Sequence, residues 1–91
     1  MRETQDIKKI SEFKDNSLLI VDDDNPFRER LSRAMEKKGF QVSQAESVKI
    51  GIESVKLKKP AFAVVDLRLN DGNGLEVVKE IQTNNPDSRI K

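Results

Sequence analysis

The chain has 91 residues, 35% of them hydrophobic and 36% charged, which fits one small globular domain with a modest core. Its 17 basic and 16 acidic residues leave a net charge of +1, so composition gives no long-range field toward nucleic acid or an anionic membrane. With no Cys and no His, thiol nucleophiles, disulfides, zinc clusters and imidazole bases are excluded, and any metal must be held by oxygen.

Residues 1–16 are polar and read as an N-terminal arm ahead of a domain over 17–91. Ile7, Ile10 and Phe13 recur every three residues, so a short amphipathic helix and a mobile arm both fit. The opening MRETQDIKK lacks the apolar centre of a signal peptide, and no apolar run approaches the roughly 20 residues that span a bilayer. The expectation is a cytoplasmic protein without membrane contact. Leu18-Leu19-Ile20-Val21 predicts a strand buried on both faces, ending in Asp22-Asp23-Asp24. Asn25 is the expected helix cap, with Pro26 in the first turn and Phe27, Leu31, Ala34 and Met35 as the buried face; Gly39 stops the helix. Phe40 and Val42 alternate with polar residues, as in a second strand near a sheet edge.

Ser47 is the expected cap of a second helix carrying Val48, Ile52 and Val55, which cannot continue past Pro60. Ala61 to Val65 predicts a third buried strand ending at Asp66. Residues 67–73 read as a loop with Asp-Gly and Asn-Gly turn signals. Leu75, Val78 and Ile81 mark a third helix closing near Asn85-Pro86, and Ser88 to Lys91 could begin another strand. The order β-α-β-α-β-α predicts an α/β domain whose parallel sheet is covered on both faces.

Two of these strands end in aspartate. In open parallel sheets, ligands bind beyond the carboxyl ends of the strands. If the first and third strands are neighbours, the acids converge there and a divalent cation relieves their repulsion. Each piece alone has a plainer reading: the Asp22 to Asp24 run as cap and dipole complement, Asp66 as a turn former, and Asp71 to Gly74 as an ordinary loop. In this order, behind two buried strands, the acids are harder to explain as caps.

The run Leu18 to Asp24 resembles the first strand and acidic pair of bacterial two-component response-regulator receiver domains. Ala63-Val64-Val65-Asp66-Leu67-Arg68-Leu69, followed by Asn73-Gly74-Leu75, resembles their phosphoacceptor strand and loop. Within the family, Arg68-Leu69 and Asn70 to Gly74 are most like redox-responsive global transcription regulators. The resemblance implies a flavodoxin-like sheet of order 2-1-3-4-5, here reaching only the start of the fourth strand. It implies Asp66 as the phosphoacceptor for a sensor histidine kinase. It also implies Mg2+ bound by Asp23, Asp66 and the backbone carbonyl of Arg68, with Asp22 acting through a water. Asp24 matches a frequent third acid without a firm role. Contact with DNA is expected only through a C-terminal domain beyond residue 91.

The sequence departs from the family at Asn70, where many receivers have proline. The Ser or Thr of strand four and the Lys of strand five would fall beyond residue 91, and Lys91 is too early to be that lysine. The expectation is a signalling parent, a truncated piece that does not complete the switch, and self-association through an uncovered strand edge. The alternative is an aspartate-nucleophile phosphohydrolase using Asp22 and Asp24, although Pro26 replaces the Thr such enzymes carry. A dinucleotide binder lacks its glycine-rich turn, and an EF-hand at Asp66 would need an oxygen ligand where Arg68 stands.

Overall fold

In a computed structural model of the chain, residues 15–84 and 88–90 are described. The elements run β1 (Ser17–Val21), α1 (Asn25–Lys37), β2 (Gln41–Ala45), α2 (Val48–Leu57) and β3 (Phe62–Val65), then β4 (Arg68–Leu69), β5 (Gly72–Asn73), α3 (Leu75–Asn84) and β6 (Arg89–Ile90). The main sheet has the order β2-β1-β3-β6 and is parallel throughout. This is the α/β flavodoxin-like arrangement expected of the sequence.

β1 sits between two strands and is buried along its whole length, which explains its unbroken apolar run. β2 is at an edge and is mostly exposed, which explains its polar sequence. Successive side chains of a strand alternate between faces. Leu19, Val21, Ala63 and Val65 pack with Val48 and Val55 of α2 and with Val77 and Ile81 of α3 in one core. Leu18 and Ile20 are equally buried and take the alternate face of β1. The chain steps outward from β1 to β2 and back past β1 to β3, so right-handed crossovers put α1 and α2 on opposite faces. Phe40 and Phe62 meet edge to face with centroids 5.2 Å apart.

Several local expectations are corrected. Asp24, not Asn25, caps α1, its side chain accepting the Phe27 N–H; both residue types cap well, and the backbone turned extended one residue earlier. On α1 the buried residues are Arg28 and Ser32, while Phe27 and Ala34 are exposed. Arg28 turns inward onto the Asp22 carbonyl and Gln44 Oε1, and of the expected stripe Leu31 and Met35 are half-buried. In α3 the buried stripe is Val77 and Ile81, with Leu75 exposed. As expected, α2 does not pass Pro60, ending at Leu57. Residues 67–73 hold the short antiparallel pair β4–β5 instead of a plain loop. Ser47 does cap α2, accepting the Ile50 N–H. The arm helix over Ile7, Ile10 and Phe13 and the stop at Asn85-Pro86 lie outside the described residues.

Ile81 is fully enclosed and Leu75 is 46% exposed. Replacing Ile81 by Ala is therefore expected to cost about 2–5 kcal/mol of unfolding free energy. The change Leu75→Ala should stay within about 0.5 kcal/mol. Denaturant unfolding of the two variants checks the ranking.

Candidate functional site

The parallel ladder continues one residue past two strand ends. The Asp22 N–H donates to the Ala45 carbonyl at 3.0 Å, and the Asp66 N–H donates to the Val21 carbonyl at 2.9 Å. With Val21 opposite Val65 in register, Asp22 and Asp66 are the next pair beyond the sheet, on neighbouring strands. One carboxylate oxygen from each of Asp22, Asp23 and Asp66 lies within 4.8 Å of the others, and all three residues are half-buried.

Each of these carboxylates has one oxygen on a backbone amide. Asp22 Oδ1 accepts the Asp24 N–H at 2.9 Å, and Asp66 Oδ1 accepts the Arg68 N–H at 3.0 Å. Asp23 Oδ2 accepts the Asn70 N–H at 3.0 Å, across 47 residues of sequence. Among the described residues the second oxygen of each has no hydrogen bond. Three aspartates are thus oriented by amides, with three oxygens left over. Like charges this close cost about 1 kcal/mol per pair in water and several times more near a protein surface. Two oxygens facing each other across Mg2+ stand about 4.2 Å apart, and across Ca2+ about 5 Å apart. The observed spacing suits a hard divalent cation.

Asp24 stands apart from this group. Its carboxylate faces α1, and its carbonyl accepts the Arg28 N–H at 2.8 Å. Arg68 is held against Asp66 through its amide and pairs with Asn73 across the hairpin. Gly74 explains how the loop returns so tightly. A Cβ there would collide with the carbonyl oxygen of Asp66 and come within 2.9 Å of Val65 Cγ1. The Gly74 N–H closes the loop on the Leu67 carbonyl at 3.0 Å.

Two residues at the site escaped sequence reasoning. Arg28 is buried beside the acids and donates to the Asp22 carbonyl at 2.8 Å, to Gln44 Oε1 at 2.9 Å and to Asn25 Oδ1 at 2.6 Å. No periodicity marks a charged residue for burial, so it carried no signal. Asp71, read as part of a loop, accepts the N–H groups of Val48 and Lys49 at the start of α2. Those bonds hold its carboxyl below the usual carboxylate range.

Residues 18–91 match the response regulator receiver domain. The chain belongs to this family. Over 76 residues the receiver is 58% identical to the photosynthetic apparatus regulatory protein RegA of Rhodobacter capsulatus, covering 84% of this chain and 41% of that protein. The chain therefore spans about two-fifths of this relative's length. Among solved structures, it superposes on a response regulator from Burkholderia pseudomallei containing a phosphorylated aspartic acid, a calcium ion and citrate. That match has a TM-score of 0.78 and 32% identity, and covers 84% of this chain and 45% of that one. It also superposes on the response regulator TrrA of Thermotoga maritima in complex with Mg2+ and BeF, with a TM-score of 0.75, 25% identity, and coverage of 82% and 65%. The finer likeness, expected from Arg68 to Gly74, is here to a regulatory protein at 58% identity.

Asp71 is not alone in its shift. Asp15 is also lowered from 3.8, by side-chain and backbone hydrogen bonds from Ser17. Where the folded pKa is depressed, the unfolded chain binds protons first. The stabilisation is then complete above about pH 5 and is lost as pH falls through 3.8 toward the folded values. In thermal melts from pH 7 to pH 2.5, Asp71→Asn is expected to melt below the wild type near neutrality. The two curves should converge at the acid end.

Proposed function

We propose that this receiver takes a phosphoryl group onto Asp66 from a sensor histidine kinase, with Mg2+ as cofactor. The observation that supports this most is the grouping of three amide-oriented carboxylates, one oxygen of each within 4.8 Å of the others. Asp22, Asp23, Asp66 and the backbone carbonyl of Arg68 would hold the cation, which supplies positive charge against the anionic group being transferred. The free oxygen of Asp66 attacks phosphorus. The P–N bond to the kinase imidazole breaks as the P–O bond forms, and the imidazole leaves with that electron pair. A carboxylate is a competent nucleophile for this transfer, and placement of the reactants carries most of the catalysis. The product is an aspartyl phosphate, so the chain is a phosphoacceptor and not a turnover enzyme.

The wider setting is part of the same proposal. The receiver extends over 17–91, with residues 1–16 preceding it in the chain; the family match over 18–91 supports this boundary. The parent regulates transcription through a DNA-binding domain outside this receiver; the likeness to RegA, a regulatory protein of which the chain spans about two-fifths, supports this. The protein works in the cytoplasm without membrane contact; among the described residues no helix is long and apolar enough to cross a membrane. The phosphohydrolase alternative finds less support, because Asp24 is committed to capping α1.

Incubation with a small-molecule phosphodonor and Mg2+, followed by peptide mass spectrometry, is expected to place phosphate on Asp66. The variant Asp66→Asn should take up none, and equal uptake by it would overturn the assignment.

We propose further that this chain self-associates. Among the described residues β6 covers β3 only at Phe62 and Ala63, and Phe27 is 43% exposed on α1. An uncovered edge and apolar surface favour pairing between copies. Light scattering is expected to show mass rising with concentration; a constant monomer mass would contradict it.

A further inference from the structure

Residues 66–74 leave the sheet, form β4 and β5, and return at the start of α3. Asn70 and Asp71 make the outer turn, and neither has a positive φ. Asp71 reaches across to α2, where its Oδ1 accepts the Val48 N–H at 2.9 Å and its Oδ2 accepts the Lys49 N–H at 3.2 Å. These are the first two N–H groups of the helix, which have no partner within it. Ser47 satisfies the next two, with its Oγ on the Ile50 N–H at 3.1 Å and its carbonyl on the Gly51 N–H at 2.9 Å. The first turn of α2 is completed by a carboxylate 23 residues away in sequence.

The neighbouring residues show how close this contact is. Gly72 has φ 151°, and a Cβ there would stand 3.2 Å from Glu76 Oε2 and 3.6 Å from Val48 Cγ2. The turn is therefore lodged between the starts of α2 and α3. On its other side, Asn70 gives its N–H to Asp23 Oδ2 at 3.0 Å. Two consecutive residues thus tie one turn to α2 and to the carboxylate group.

We infer that Asp71 is a positioning residue that clamps the loop after Asp66 onto α2, keeping the Asn70 N–H on Asp23 and the Arg68 N–H on Asp66. The clamp deepens the proposed function, since its consequence for cation binding rests on that reading. Its mechanical part does not. Without Asp71 the turn keeps its fold but loses its anchor, and the amides that orient two of the three carboxylates wander.

The test compares Asp71→Ala with Ser47→Ala. Both remove a cap from the same end of α2, and only the first touches the loop. In metal-free protein, NMR hydrogen exchange at Arg68 and Asn70 is expected to quicken about tenfold in Asp71→Ala. In Ser47→Ala the Ile50 amide should quicken while Arg68 and Asn70 hold. Asp71→Asn keeps one acceptor and should fall between; it also carries the test if Asp71→Ala does not fold. Unchanged Arg68 and Asn70 amides in the Asp71 variants, or equal quickening in Ser47→Ala, would overturn the clamp. Groups that orient metal ligands are worth about tenfold or more in affinity. Calorimetric titration with Mg2+ is therefore expected to weaken about tenfold in Asp71→Ala and less than about twofold in Ser47→Ala. If the wild type itself bound no Mg2+, the cation reading would fall, while the exchange comparison would still decide the clamp.

Discussion

The site depends on one register. β1 and β3 are parallel neighbours with Val21 opposite Val65, and the Asp66 N–H continues that ladder onto the Val21 carbonyl. This alone makes Asp22 and Asp66, 44 residues apart in sequence, adjacent at one rim. A slip of one residue would turn every side chain of β3 to the other face, moving Ala63 and Val65 out of the enclosed core and the half-buried Phe62 and Val64 into it. The core of Leu19, Val21, Ala63, Val65, Val77 and Ile81 therefore fixes the site geometry. Hydrophobic packing sets the register, and the register sets the chemistry.

Carboxylates gathered in this way repel one another, and the fold supports them with neutral donors. Backbone amides of Asp24, Arg68 and Asn70 each take one oxygen. The Asn70 contribution accounts for a departure from the family pattern, since a proline at that position would have no N–H to give. Arg28 lies just beneath, buried, and among the described residues its guanidinium meets only neutral oxygens of Asp22, Asn25 and Gln44.

The sequence made much of this legible, for identifiable reasons. Leu18 to Val21 could be read because a strand covered on both faces has no polar alternation to hide it. Asp22, Asp23 and Asp66 could be read because they follow such strands directly. Ser47 was an unambiguous cap, whereas Asp24 and Asn25 are adjacent residues of equal aptitude, and only the backbone chooses. The α1 stripe was misread because periodicity counts apolar residues, while Arg28 is held inward by hydrogen bonds that no pattern encodes. The β4–β5 hairpin and the reach of Asp71 to α2 are contacts over long sequence distance. From the letters alone, Asp71-Gly72-Asn73-Gly74 is indistinguishable from a plain turn.

The proposed function requires that Asp22, Asp23 and Asp66 share one hard cation. Mn2+ accepts the same oxygen ligands as Mg2+ and broadens NMR signals close to where it binds. At substoichiometric Mn2+, the account predicts that amide signals at both strand ends, Asp22–Asp23 and Asp66–Arg68, fade together and recover when excess Mg2+ is added. Fading confined to one strand end, or spread over surface acids with no recovery, would contradict it.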